Sequence, residues 1–444
     1  MSSKFDFTPW NATRFFFPLC IQAMSQCLTY PLVGIVVAHG PGGAGEFSAF
    51  AQGQMIMFLL GTLGAGLVTT GMVFAKDRIG YLRYMRVNTS LMLFEALLQV
   101  ALALPVIAPF LFGRLLGLEG TQLEVARWSM LGSLPAQAAF FMRNVPQVVL
   151  YNEHETAVAN WATILRVAVT ALAAPVFYWF GLIGWQWGLV CFSLPVIFES
   201  YLMWSFARKY VKALPMKIRG TEKVTHSKIF LFNIPLSLGG FLLMVAVFML
   251  NAVINRTENG AGMLAIHLVA IALINPLSNG ALRNQAVAIG FPQTSLKDQR
   301  TFLFAVCSGA VLALTLLPIQ IPAVAEWYFC SVQNLEPWQL QPARNLLWIA
   351  MIFPVLQAIR GHAEGLAAFR RRPNAVLAGQ AVFFGVLIAV LMTLFHFRVE
   401  GYRLGIIALC VASAATFATI RLGLALARIE GEDVSASALP KFRR

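Results

Sequence analysis

Apolar stretches of about 20 residues or more recur from Thr13 to Arg428, each long enough to cross about 30 Å of hydrocarbon. In that solvent every backbone group must bond within the protein, so the pattern predicts a bundle of transmembrane helices. Only 12% of the 444 residues are charged and 58% are hydrophobic, whereas a soluble domain usually carries about 25% charged residues. Twelve spans are expected, at about 11–38, 47–75, 84–113, 122–150, 155–180, 182–208, 226–255, 262–291, 299–328, 342–369, 373–397 and 402–428.

The links between the spans carry the charge. The net charge is +14, which in a soluble chain would suggest nucleic acid. Here the excess gathers around Lys76, Arg78, Arg83 and Arg86, in the stretch from Arg208 to Lys228, at Lys297 and Arg300, at Arg370 to Arg372 and in the final KFRR. The links GPGGAGE (Gly40 to Glu46) and FGLIGWQWG (Phe180 to Gly188) have no lysine or arginine. This alternation follows the positive-inside bias and places both termini in the cytoplasm, with nucleic acid excluded as a partner. The acidic link NEHE (Asn152 to Glu155) runs against it. Lys4 and Arg14 precede an apolar segment far longer than a signal-peptide core, so that segment is expected to stay as the first helix. The six cysteines show no C-x-x-C spacing and read as packing residues.

The chain repeats itself at an offset of 217. That shift carries Pro18-Leu19 onto Pro235-Leu236, Gly43-Ala44-Gly45 onto Gly260-Ala261-Gly262, Arg83 onto Arg300, Arg143 onto Arg360, and Gly184 and Gly188 onto Gly401 and Gly405. Six spans per half is an even number, so the halves share one orientation. The expected fold is therefore an all-α membrane protein with twelve transmembrane helices in two parallel six-helix repeats around a central cavity. The expected bundles are 1–208 and 229–444, joined by a basic cytoplasmic linker at 209–228. Parallel repeats of this kind occur in alternating-access transporters.

Against that apolar background, a few residues stand out. Arg360 precedes the Arg370 triplet by ten residues, which puts it roughly 15 Å up the helix, near the midplane. A charge there costs at least about 2.5–3.5 kcal/mol and normally faces a bundle interior or a water-filled cavity. Arg143 is its repeat partner, and a guanidinium fork suits carboxylate or phosphate oxygens, so the two are candidate substrate-binding residues. The competing reading is that Glu364, four residues on from Arg360, simply neutralises it. The residue that corresponds near Arg143 is Gln147, which leaves that arginine uncompensated locally. His362 points to roughly the opposite face and reads more simply as a packing group. In the eighth span, INPLSNGALRNQ (Ile274 to Gln285) is expected to break at Asn275-Pro276, exposing Ser278, Asn279, Arg283 and Asn284 to a cavity. Its counterpart GTLGAG (Gly61 to Gly66) serves close packing. Glu95 and Glu199 are candidate ion-coupling acids, or partners for Arg127 or Arg166. No Walker loop, H-E-x-x-H or nucleophile triad occurs, so neither enzyme chemistry nor a cofactor is expected.

Three passages carry a family resemblance: RFFFPL (Arg14 to Leu19), GMVFAKDR (Gly71 to Arg78) and FPVLQAIRGHAEG (Phe353 to Gly365). With the twelve-span layout they resemble the progressive ankylosis protein family. That family lies within the multidrug/oligosaccharidyl-lipid/polysaccharide superfamily, which also holds the multidrug and toxin extrusion (MATE) proteins. The resemblance implies export of anions of the pyrophosphate, ATP or citrate class, with Arg360 and His362 at the motif positions. Arg143 enters only through the repeat. No acid lies between Arg14 and Gly40, which departs from many multidrug extruders of the superfamily. The alternatives are a lipid-linked oligosaccharide flippase, a cation-coupled drug extruder, or a membrane scaffold that transports nothing. The expected setting is a multi-pass protein of the bacterial inner membrane.

Overall fold

A computed structural model describes residues 6–27, 29–116, 118–217, 224–254, 256–291, 295–333 and 335–429. The KFRR tail and the middle of the basic linker, 218–223, lie outside the described residues.

The first expected span is two helices, α1 (Pro9–Gln26) and α2 (Thr29–Ala38). The second is α3 (Gly43–Gly61), a tight 3-10 turn at Thr62–Gly64, and α4 (Leu67–Phe74). The third is α5 (Arg78–Leu102), with a π turn at Pro109–Leu115 beyond it, and α6 (Gly120–Gly132) and α7 (Leu134–Asn152) make the fourth. α8 (Thr156–Trp179) and α9 (Trp185–Ala213) complete the first half. In the second half come α10 (His226–Ile254), α11 (Gly260–Leu282), α12 (Asn284–Gly290) and α13 (Ser295–Leu314). They are followed by α14 (Pro322–Glu326), a π turn at Trp327–Val332, α15 (Pro337–Ala350), α16 (Phe353–Phe369), α17 (Pro373–His396) and α18 (Gly401–Ile429). No strand occurs among the described residues.

Local signals set these boundaries. Asp77 caps α5 by accepting from Gly80 N at 2.7 Å, filling one of the orphan donors of a helix start. α15, α16 and α17 each begin with proline in the first turn, where its missing N–H costs nothing.

Adding 217 carries the first residues of α3, α5, α6 and α8 (Gly43, Arg78, Gly120, Thr156) to those of α11, α13, α15 and α17 (Gly260, Ser295, Pro337, Pro373). The left-handed residues obey the same spacing: His154 and Arg371 both have φ of 58°, and Gly181 (67°) lies opposite Arg398 (53°). Helix ends and turn conformations therefore repeat together.

Nine stretches among the described residues are long and apolar enough to cross a membrane, from Glu46–Phe74 to Gly401–Leu426. The other three expected spans, 11–38, 84–113 and 122–150, are helical but lie outside that set. The chain is a multi-pass integral membrane protein.

The described residues cluster into two compact units. One joins the chain up to Met24 with the stretch that resumes at Leu238, and the other runs from Ser25 to Ser237. α1 and α10 therefore each contribute to both. Within the second unit, Asn233 and Ser237 of α10 donate to Leu63 O at 3.2 and 2.6 Å. Within the first, Gly280 of α11 comes close enough that a β-carbon on it would meet Cys20 of α1 at 2.6 Å. α9 also continues to Ala213, so the beginning of the expected linker is helix.

One expected break falls elsewhere. α11 runs through Pro276 without interruption and ends at Leu282, with Arg283 as the joint to α12. A proline removes one hydrogen bond and kinks a helix, and inside a bundle neighbouring elements absorb that loss. In span two the interruption is the turn at Thr62–Gly66, and Gly66 corresponds to Arg283 in the repeat. At this joint α16 lies against bare backbone. A β-carbon on Gly361 would sit 2.5 Å from Leu282 O, and one on Gly365 2.3 Å from Gln285 O. We expect Gly361→Ala to lower the thermal midpoint of the purified protein by the equivalent of about 1–3 kcal/mol, the usual cost of overpacking. An unchanged midpoint would contradict this contact.

Candidate functional site

Among the described residues, the buried arginine–carboxylate pairs form one node in each unit, at equivalent repeat positions. In the unit that starts at Ser25, Glu199 of α9 is fully buried and sits at the centre. Its Oε2 takes Arg143 Nη1 of α7 at 2.8 Å and Arg166 Nη1 of α8 at 3.4 Å, and Oε1 takes the Thr163 hydroxyl. Arg166 Nη2 also donates to Thr29 at 3.2 Å. Arg143 rests over the Phe140 ring at 5.2 Å. Its side chain keeps 12% exposure against 3% for Arg166, and neither Nε meets a partner among the described residues.

This corrects the expectation that Arg143 lacks local compensation. The carboxylate comes from α9 rather than from its own helix, which spacing along one helix cannot reveal. Glu199 accordingly stands as an ion-pair acid for two arginines. Arg127 belongs elsewhere, pairing with Glu124 at 3.1 Å. Gln147 is buried at 3% and donates to the Tyr151 hydroxyl.

The other unit builds the matching node with different chemistry. Arg360 Nε donates to Glu364 Oε1 at 2.9 Å and its Nη2 to Gln380 Oε1 at 2.9 Å. Gln380 Nε2 closes the triangle on Glu364 at 2.8 Å, and the guanidinium lies 5.0 Å from the Phe383 ring. Arg360 is 3% exposed. The geometry matches the self-neutralised reading of the Arg360–Glu364 spacing.

Aligning the two by 217, positions 143, 147, 163, 166 and 199 read Arg, Gln, Thr, Arg, Glu. Their mates 360, 364, 380, 383 and 416 read Arg, Glu, Gln, Phe, Thr. Both nodes keep the first arginine and one carboxylate, but the first carries a second arginine where the other has phenylalanine. The first is thus left with one positive charge in excess, while the second is neutral.

His362 does not join Arg360. Its Nε2 lies 2.9 Å from Thr301 Oγ1 and 3.7 Å from Asp298 Oδ1, and its ring meets Phe302 edge-on. Arg421 holds the same aspartate at 3.1 Å. Of the expected cavity-lining residues in the eighth span, Asn279 is exposed, whereas Ser278 and Asn284 are buried. Arg283 is half-buried at the helix joint, and its Nε lacks a partner among the described residues. Glu95 is 1% exposed, on α5, with no arginine paired to it among the described residues.

Solved structures share this fold. A MATE transporter in complex with MaL6 matches at 20% identity over 96% of this chain and 98% of its own, with a TM-score of 0.74. The fold is that of the MATE transporters. An outward-facing multidrug-resistance MATE transporter of the MOP superfamily matches at 19% identity over 96% of this chain and 97% of its own, with a TM-score of 0.72. A MOP-superfamily transporter from Pyrococcus furiosus, whose binding pocket is described as having reversed polarity that suggests a different function, matches at 17% identity and a TM-score of 0.72. It covers 96% of this chain and 97% of its own. No protein-family profile and no curated protein sequence matches the chain.

Within this MATE fold, the node residues that single-helix reasoning missed are Thr163, Gln380 and Phe383. The signal that finds them is the 217 offset, applied outward from Arg143 and Arg360 to every buried polar position.

Proposed function

We propose that the chain is a secondary transporter that exports small organic or phosphate-bearing anions, of the pyrophosphate, ATP or citrate class, by alternating access. The observation that carries this reading is the excess positive charge at Arg143, Arg166 and Glu199. Removing an ion from water into a bundle costs several kcal/mol, and a second buried guanidinium with only a shared carboxylate is not fully repaid. An anionic ligand would complete that pairing. Arg143 keeps a 12% exposed side chain to meet one, and its buried Nε has no partner among the described residues, whereas Arg360 is closed off by Glu364 and Gln380 and supports the packing of its own bundle. A structural relative from Pyrococcus furiosus is described as having a binding pocket of reversed polarity that suggests a different function. The basic links support a reading with both termini in the cytoplasm, and on that reading the cytoplasmic anion pool is the source of substrate.

The test is binding to purified protein. Pyrophosphate, citrate or ATP at about a hundred times its Kd should stabilise the wild type by about 2.7 kcal/mol, read as a raised thermal midpoint. Arg143→Gln should fold normally and lose that shift. A shift retained in the variant, or none with any of the three anions, contradicts the reading. A lipid-linked sugar flippase would meet the same arginine through its pyrophosphate group. A cationic drug would be repelled by it.

A further inference from the structure

One face of α9 changes character along its length. Leu194, Phe198 and Tyr201 are 57%, 39% and 69% exposed, and Ser205, Arg208 and Lys212 follow them at steps of four and three residues. Such steps keep all six on one side of the helix. In a chain that crosses a membrane, exposed apolar side chains of a span lie against lipid tails. α9 has 29 residues, about 43 Å of helix against about 30 Å of hydrocarbon. Trp185 and Trp187 open it, as aromatic residues commonly do at a membrane interface. About 20 residues further on the hydrocarbon ends, and Ser205 and Arg208 stand there.

The polar end of this face is a cleft. Ser205, Phe206, Arg208, Lys209 and Lys212 of α9 line a cavity of about 480 Å³ together with Val158 from the first turn of α8. That volume falls within the roughly 300–1,000 Å³ of small-ligand sites. On α8, Trp161 and Leu165 continue from Val158 at steps of three and four, 60% and 40% exposed. Apolar stripes on two neighbouring helices therefore run up to one basic cleft.

The cations in it lack carboxylates. None of Arg208, Lys209 and Lys212 joins an ion pair among the described residues. Lys209 Nζ lies over the Tyr210 ring at 4.7 Å. Glu153 and Glu155, on the link before α8, make interactions of their own. The positive-inside bias asks for cations somewhere near a helix end, and not for three lining one cleft. The repeat supplies the control. In α18 the same stripe reads Ala415, Ala418, Leu422, Ala425 and Ile429, and the mate of Lys209 is Leu426. The cations of that stretch, Arg421 and Arg428, are the mates of Trp204 and Val211, which flank the face rather than lie on it. The charged cleft belongs to one half alone.

We propose that the cleft between α8 and α9 binds the headgroup of an anionic phospholipid. The phosphate would take the donors of Arg208, Lys209 and Lys212, and the acyl chains would lie along Tyr201, Phe198 and Trp161. A soluble phosphate would use the same cations and leave both apolar stripes unused, which favours the lipid. The site involves none of Arg143, Arg166 and Glu199, so it stands apart from the transport reading.

The experiment mixes purified full-length protein in detergent with phosphatidylglycerol or phosphatidylcholine and counts bound lipid by native mass spectrometry. The wild type should retain phosphatidylglycerol at concentrations where phosphatidylcholine is lost. Arg208→Ala with Lys209→Leu and Lys212→Ile installs the residues of the other half. It should keep the wild-type thermal midpoint and bind phosphatidylglycerol at least about tenfold more weakly. Lys212→Glu alone, at an exposed position in the last turn of α9, should weaken it in the same direction. Arg14→Gln with Arg78→Gln and Arg86→Gln removes as much charge from other exposed positions and should leave the affinity unchanged. Equal retention of the two lipids, or equal loss in both triple variants, overturns the site. Glycerol phosphate, the head without the chains, should compete only weakly. Competition as strong as that of phosphatidylglycerol itself would overturn the lipid and give the cleft to a soluble phosphate.

Discussion

Glu199→Ala should cost about 3–5 kcal/mol, a large part of the roughly 5–15 kcal/mol that holds a typical fold together. The carboxylate is fully buried and holds two guanidinium groups, at 2.8 and 3.4 Å, together with the Thr163 hydroxyl. Its removal leaves Arg166, itself 2% exposed, with only Thr29 for a partner among the described residues. The thermal midpoint and the yield of monodisperse protein in detergent both report the loss. The repeat also prescribes a rescue. Replacing Gln147 by Glu, Thr163 by Gln, Arg166 by Phe and Glu199 by Thr copies the node of the second half into the first. That combination should recover most of the stability, because one arginine is again matched by one carboxylate from its own helix. If Glu199→Ala unfolds near the wild-type midpoint, the ion triad is not holding α7, α8 and α9 together.

The second large effect lies at Arg360. Glu364→Ala should destabilise by a similar amount, about 3–5 kcal/mol, since it strands a buried guanidinium with a neutral amide. The pair behaves differently when removed whole. Arg360→Met combined with Glu364→Leu should unfold at or above the wild-type midpoint, because buried pairs replaced by apolar groups of like volume are often neutral or stabilising by about 1–4 kcal/mol. The double variant should also keep its anion binding, as the triangle of Arg360, Glu364 and Gln380 has no charge left to offer. Loss of anion binding in a well-folded double variant would show that Arg360 meets the substrate after all.

Much of this fold is legible in the sequence, because hydrocarbon permits few solutions. Span lengths and the 217-residue offset follow from the bilayer thickness and from glycine, proline and arginine positions that only backbone geometry or burial explains. The same offset recurs in the helix starts from Gly43 to Pro373 and in the left-handed residues His154 and Arg371. The helix joints were less legible. Pro276 looks like a breaker, yet the chain keeps its helix to Leu282, because the loss of one hydrogen bond is small beside the packing that surrounds it. The charge partners were the least legible. Arg360 finds Glu364 four residues away, so spacing reveals it, whereas Arg143 finds Glu199 from another helix 56 residues along. Only a tertiary contact brings such a pair together.

The central claim is that the excess charge beside Arg143 serves an anion. The direct measurement is efflux of pyrophosphate, ATP and citrate from proteoliposomes, comparing wild type with equally reconstituted Arg143→Gln and Arg143→Lys. The expected result is efflux of at least one of these anions through the wild type, a loss of about tenfold or more in Arg143→Gln, and partial recovery in Arg143→Lys, which restores charge without the fork geometry. Equal efflux through all three proteins, or none through the wild type, would contradict it.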